Sequence, residues 1–126
     1  MDVSFVAMHS AGPYMLKEWN TSMQRIAFAL PIKPDRVDEY RRTHAAVWEE
    51  LQEENTRAGI RNFSVFLFGH HAIGYLECDD WDRAGAYLDA SDVQARWQAL
   101  HEDILDVDTA SGLVPLEMLE PVFYQE

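Results

Sequence analysis

Tyr40, His44 and Trp48 stand four residues apart in the stretch "VDEYRRTHAAVWEEL", residues 37–51. On a helix that spacing lines three side chains along one stripe. Val37, Val47 and Leu51 give the same stretch an apolar rhythm close to the helical period. The face a helix buries is usually aliphatic, yet this one carries a phenol, an imidazole and an indole. An imidazole titrates near neutrality and suits general acid–base work. A phenol offers a directional hydroxyl, and an indole offers a flat apolar wall. Together they would suit a ligand pocket that needs a proton shuttle, a hydroxyl donor and a flat apolar wall. The same three rings also serve plain packing against a sheet with their polar tips satisfied, and spacing alone leaves both readings open.

A second stretch, "SDVQARWQALHED" (residues 91–103), offers Trp97 for stacking and Arg96 or Gln98 for hydrogen bonding. Its alternative is a core tryptophan beside a solvated arginine. His101, Glu102 and Asp103 are adjacent, so on a helix they point in different directions. A helical metal pair needs a spacing of three or four, and no metal site is expected there. His70 and His71 fall in a hairpin turn and read as solvated, and Trp81 reads as a packing residue. The chain has no glycine-rich phosphate loop, CxxC or GxSxG motif.

These residues need a scaffold. "MQRIAFALPI" (23–32) is short, apolar and stopped by prolines, which predicts a buried strand. Pro34 and Asp35 open the first helix, with Asp35 as its N-cap; the helix is expected to continue unbroken to about Arg57 and to end on Gly59. "RNFSVFLFG" (61–69) alternates Phe63, Val65 and Leu67 against Asn62, Ser64, Phe66 and Phe68, as a strand does. A turn at "GHH" returns the chain as a second strand over 72–80. Two helices follow, over 79–90 and 91–105, with Ser91 capping the second. A loop over 106–115 leads to a last strand over 116–126, with Pro121 marking an edge or bulge. The order predicts an α+β class, ferredoxin-like split βαβ sandwich: a four-stranded antiparallel sheet with helices on one face, of the dimeric α+β barrel type. The opposite sheet face keeps large apolar side chains, which predicts a homodimer that covers them.

The 126 residues suffice for one domain with a genuine core, and 48% apolar with 25% charged residues is ordinary for a globular chain. A net charge of −12 argues against nucleic acid or an anionic membrane as partner and favours a neutral or cationic ligand. Cys78 is the single cysteine, so no intramolecular disulfide forms. With no secretory signal pattern and no membrane-length apolar run, a cytoplasmic location is expected. Residues 1–22 are aperiodic and read as an extension of unclear order; residues 23–126 read as a single α+β domain.

With "RIAFALPIKPDRVDEYRRTHAAVWEEL", then "RNFSVFLF", "DVQARW" and finally "LEPVFY", the chain resembles the L-rhamnose mutarotase family from residue 23 to the C-terminus. The resemblance implies a dimeric ferredoxin-like fold, no cofactor, and a small neutral monosaccharide as partner, a 6-deoxyhexose with L-rhamnose first. It implies His44 as the proton donor and Tyr40 as a sugar-binding hydroxyl. The family's tyrosine in the strand after the first helix is Phe63 here, and its two adjacent tryptophans are Trp97 and Gln98. Phe63, Trp97 and Gln98 are therefore expected to bind substrate, and Trp48 joins them as a wall from the helical stripe. Two other readings of the same architecture are a cofactor-free or haem-dependent monooxygenase, with Trp97, His44 and Asn62 lining its pocket, and a non-catalytic sugar-binding module.

Overall fold

The computed structural model describes residues 23–108 and 114–126. The expected extension over 1–22 and the middle of the 106–115 loop lie outside the described residues. The chain runs β1 (Gln24–Pro31), a 3-10 turn (Pro34–Arg36), α1 (Val37–His44), α2 (Glu49–Arg57), β2 (Ile60–Phe68), β3 (His71–Cys78), α3 (Trp81–Asp89), α4 (Asp92–Leu100) and β4 (Glu117–Met118). The strands form one antiparallel sheet in the order β2-β3-β1-β4. This is the split βαβ arrangement that the order of elements predicts.

Side-chain alternation sorts the sheet into two faces. Ile26 and Phe28 of β1, Leu76 and Cys78 of β3, and Ile60 of β2 pack with Trp81 and Ala84 of α3 in one core cluster. Ile32, Tyr40, Ala72, Ile104 and Leu105 form a second. The other face holds Phe66 and Phe68, which are 61% and 78% exposed. The alternation of β2 is interrupted once. Arg61 pairs with Glu77 but Ser64 pairs with Tyr75, so two residues, Asn62 and Phe63, stand opposite one. This is a β-bulge, and Asn62 takes the positive φ of 52° that asparagine tolerates better than most residues. Gly74 is required by its neighbour: a Cβ there would lie 2.3 Å from Phe28 Cζ.

Three expectations are corrected. The long first helix is two helices: α1 ends at His44, residues 45–48 turn, and Trp48 takes an extended conformation as the N-cap residue of α2 (φ −58°, ψ 135°). Neither half violates helix rules, since Ala45 and Ala46 are strong helix formers, so the break is imposed by tertiary packing. Asp35 does not cap α1; it lies in the 3-10 turn, and Arg36 holds the N-cap position without a side-chain bond. The last strand is only Glu117–Met118, held by pairing with Phe28 and Ala29 and by a bond from Leu119 N to Ala27 O (2.9 Å). Beyond it the chain through Val122 and Phe123 is exposed. Other signals hold: Ser91 accepts from Gln94 N at the start of α4, Asp80 caps α3, and Gly59 ends α2 with φ 91°.

Candidate active site

Five rings from two helices and one turn meet on the helical side of the sheet. Tyr40 and His44, one turn apart on α1, stack with centroids 4.0 Å apart and planes 20° apart. Trp97 of α4 meets His44 edge-on at 5.3 Å. Trp48, displaced from the stripe by the helix break, still reaches the group by an edge contact with Trp97 at 5.1 Å. The fifth ring is His101, the C-cap residue of α4, 5.8 Å from Tyr40, 5.2 Å from His44 and 4.6 Å from Trp97. The segment after α4 is stitched to the end of β1 by Lys33 N to Ile104 O (3.0 Å) and Asp106 N to Pro31 O (2.9 Å). Those bonds hold α4 over α1 and fix the rings relative to one another.

Burial sets the charge state of the group. Tyr40 is buried, and desolvation pushes its phenol up to about 12, so it stays a hydroxyl donor at any physiological pH. Desolvation likewise holds His44 below the ordinary imidazole value; the bond to the Tyr40 carbonyl opposes this and the nearby His101 ring reinforces it. His101 is shifted down for the same leading reason. Both histidines are therefore neutral near pH 7. Nδ1 of His44 lies 3.1 Å from the Tyr40 carbonyl oxygen. A carbonyl only accepts, so Nδ1 carries the hydrogen and Nε2 holds the lone pair.

Four of the expected residues, Tyr40, His44, Trp48 and Trp97, are brought together. Phe63 sits on the edge strand, 42% exposed, and packs edge-on against Phe28 at 6.3 Å. Gln98 is half-buried on α4 beside Trp97. Arg96 does not face the rings as a hydrogen-bond donor. It bonds Asp92 (3.2 Å) and Glu50 (3.3 Å), and its guanidinium lies 5.7 Å from the Trp48 ring, so it clamps the start of α2 to α4. Asn62 does not line a pocket with Trp97 and His44. Its amide donates to Glu77 (2.7 Å), a carboxylate that also accepts from the Tyr75 hydroxyl (2.8 Å), on the sheet face turned away from the helices. His101 belongs to the ring group although its sequence neighbours suggest only a failed metal site. The signal was its spacing of four from Trp97, the same interval that joins Tyr40 to His44. Thr43, which touches both histidines, is inconspicuous in the sequence, an ordinary residue between charged side chains and His44.

Among the described residues no group of three histidine, cysteine or acidic side chains could hold a metal ion. A surface depression of about 350 Å³ along α2, lined by Glu49, Gln52, Glu53, Thr56 and Arg57, contains none of the five rings and no stacking wall.

The family model of L-rhamnose mutarotase matches residues 25–125. The chain belongs to the L-rhamnose mutarotase family. L-rhamnose mutarotases of Burkholderia cenocepacia and Pectobacterium carotovorum are 37% and 34% identical to it, over 82% and 81% of this chain and 100% and 98% of theirs. Among solved structures, the L-rhamnose mutarotase from Formosa agariphila superposes with a TM-score of 0.70 at 21% identity, covering 82% of this chain and 99% of its own. An antibiotic biosynthesis monooxygenase superposes with a TM-score of 0.54 at 14% identity, covering 79% and 98%, which shows that it shares the fold. The family match thus falls on the segment that carries all five rings.

Proposed function

We propose that this L-rhamnose mutarotase family member interconverts the α and β anomers of L-rhamnose, with His44 as the group that carries the proton. The observation that supports this most directly is the Tyr40–His44 stack with Trp97 against its edge. Ring opening removes a proton from the anomeric hydroxyl, breaks the bond from C1 to the ring oxygen, and adds a proton to that oxygen. Both oxygens are bonded to C1, so one imidazole nitrogen can serve both. In this reading Nε2 of neutral His44 takes the hydroxyl proton as the aldehyde forms, and the resulting imidazolium returns it to the ring oxygen. Rotation about the C1–C2 bond presents the other carbonyl face, and the same steps in reverse close the second anomer. No atom is gained or lost and no redox partner is needed.

The walls match the ligand class. A 6-deoxyhexose has C–H groups and a methyl that favour aromatic surfaces, and the Trp97 and Trp48 indoles supply them. The Tyr40 hydroxyl, kept protonated by burial, donates to a sugar oxygen. Phe63 and Gln98 complete the assigned contacts, with one hydroxyl and one stacking face fewer than the family pattern. We further propose a homodimer, supported by Phe66 and Phe68 on the open sheet face and by the exposed C-terminal tail, and a cytoplasmic location. Saturation-transfer NMR on the anomeric protons of L-rhamnose tests the activity. Exchange accelerated in proportion to protein concentration is expected; binding without acceleration would identify a sugar-binding module instead.

A further inference from the structure

His101 is 3% exposed, yet it is not there to fill space alone. Its Nδ1 lies 2.9 Å from the Trp97 carbonyl oxygen, and its Nε2 lies 2.8 Å from Thr43 Oγ1. The same hydroxyl oxygen lies 3.1 Å from His44 Nδ1 and 3.0 Å from the Tyr40 carbonyl. The hydrogens on this chain can be counted. The Trp97 carbonyl only accepts, so His101 Nδ1 carries a hydrogen. Burial keeps the ring neutral, so Nε2 has a lone pair. Thr43 has one proton and two acceptors in reach, the Tyr40 carbonyl and that lone pair; the lone pair is nearer, and with the proton there no two lone pairs face each other at 2.8 Å. Its oxygen is then left to accept, and it faces His44 Nδ1–H.

We propose that His101 is a positioning residue that draws the Thr43 proton to itself and so, together with the Tyr40 carbonyl, holds His44 in the tautomer with Nε2 bare. This rests on the assignment of His44 as the proton carrier. Without the His101 lone pair, the Thr43 proton is free to turn onto the Tyr40 carbonyl, where it competes with His44 Nδ1–H for that oxygen, and from there onto His44 Nδ1 itself. That bond stabilises the opposite tautomer, which presents an N–H where the sugar hydroxyl needs an acceptor. With His101 in place, Thr43 instead accepts from Nδ1–H, and the same bond strengthens when His44 becomes an imidazolium in the course of the reaction. His101, the one buried polar or charged residue among the described residues outside the apolar core set, is thus connected, through one hydroxyl, to the back of the reacting imidazole.

The test combines histidine ¹⁵N NMR with anomer exchange of L-rhamnose in five variants. His101→Phe keeps a ring of similar shape and removes both nitrogens; His101→Leu carries the same test should the phenylalanine variant fail to fold. His44 Nδ1 should gain pyridine-like character, and kcat should fall by roughly 10-fold or more with KM little changed, as when a histidine loses the partner that sets its tautomer. His101→Gln, which keeps an acceptor toward Thr43, should stay near wild type. Adding Thr43→Val to His101→Phe removes the misdirected proton and should recover most of the lost rate. A wild-type tautomer in folded His101→Phe, or a loss of rate that Thr43→Val does not recover, would overturn the proposal and leave His101 a packing residue. His44→Ala in the same series separates the two levels: exchange at the wild-type rate in that variant would remove His44 as proton carrier, whatever the tautomer data say.

Discussion

Replacing Gly74 by alanine adds one methyl group where the sheet has no room for it. The new Cβ would lie 2.3, 2.6 and 2.8 Å from three carbons of the Phe28 ring, all inside contact distance. Gly74 does not need glycine for its backbone, since it has no positive φ. At an open strand position the change would stabilise the fold by about 0.4–1 kcal/mol, through a less flexible unfolded chain. Here overpacking opposes it. Phe28 is 7% exposed and wedged in the core cluster, so its ring can yield only by leaving a favourable rotamer, which costs about 1–3 kcal/mol. Moving that ring also disturbs its edge contact with Phe63, worth a further ~0.5–1.5 kcal/mol. The steric terms are larger, and Gly74→Ala should destabilise by about 1–3 kcal/mol net. Urea titration followed by tryptophan fluorescence measures this as a lower midpoint at unchanged slope. Phe28→Leu in the same chain should shrink the penalty, because the two changes share one contact. A stability within about 0.5 kcal/mol of wild type, or additive effects in the double variant, would refute the steric account.

His44→Ala should slow anomer exchange by roughly 10²–10⁴-fold while sugar binding, followed by ligand-observed NMR, weakens far less, because Trp97 and Tyr40 remain. The rate should rise with pH and level off below the ordinary imidazole value of about 6.5, since desolvation lowers His44 and the neutral ring is the active form; a rate that falls over that range would contradict it. Stability carries the same sign: the unfolded chain binds protons at His44 and His101 that the fold resists, so the fold loses stability as pH drops from about 6.5 toward the depressed folded values. Thermal melts across that window check it. Phe63→Tyr and Gln98→Trp should each shift preference toward L-rhamnose among related sugars by about 1–3 kcal/mol in kcat/KM if those positions touch ligand, and equal relative rates would place them outside the site. Light scattering at micromolar concentration should give twice the chain mass.

The fold was readable because its signals were local. Ser91 and Gly59 mark helix ends, and the alternation of Phe63, Val65 and Leu67 marks a strand, each by chemistry within a few residues. The Tyr40–His44 pair was readable for the same reason, since both sit on one helix turn. The break before Trp48 was not. Ala45, Ala46 and Val47 carry no stop signal, and what ends α1 is the need to bring α2 against α4, where Arg96 ties it to Glu50. His101 was hidden by its neighbours: next to Glu102 and Asp103 it looked like a poor metal site, while its actual partners, Thr43 and Tyr40, are about sixty residues away in sequence. The bulge was half-visible. Ile60 is a core residue at an even position, Phe63, Val65 and Leu67 hold odd ones, and an asparagine lies between them.

That extra residue in β2 acts as a phase shift in a two-letter code. Before it, even-numbered side chains face the helices; after it, odd-numbered ones do. Ile60 can therefore anchor the strand under α3 while Phe63 keeps its place against Phe28, although no uninterrupted strand of the same length could satisfy both. Removing residue 62 would delete the bulge and leave every partner in place, with Phe63 opposite Leu76, Arg61 opposite Glu77 and Ile60 opposite Cys78 in one uninterrupted pleat. The strand's two ends are thus written in different reading frames. Changes of side chain at the Phe63 end leave the anchoring end in register, and a change of length in β2 outside the bulge does not.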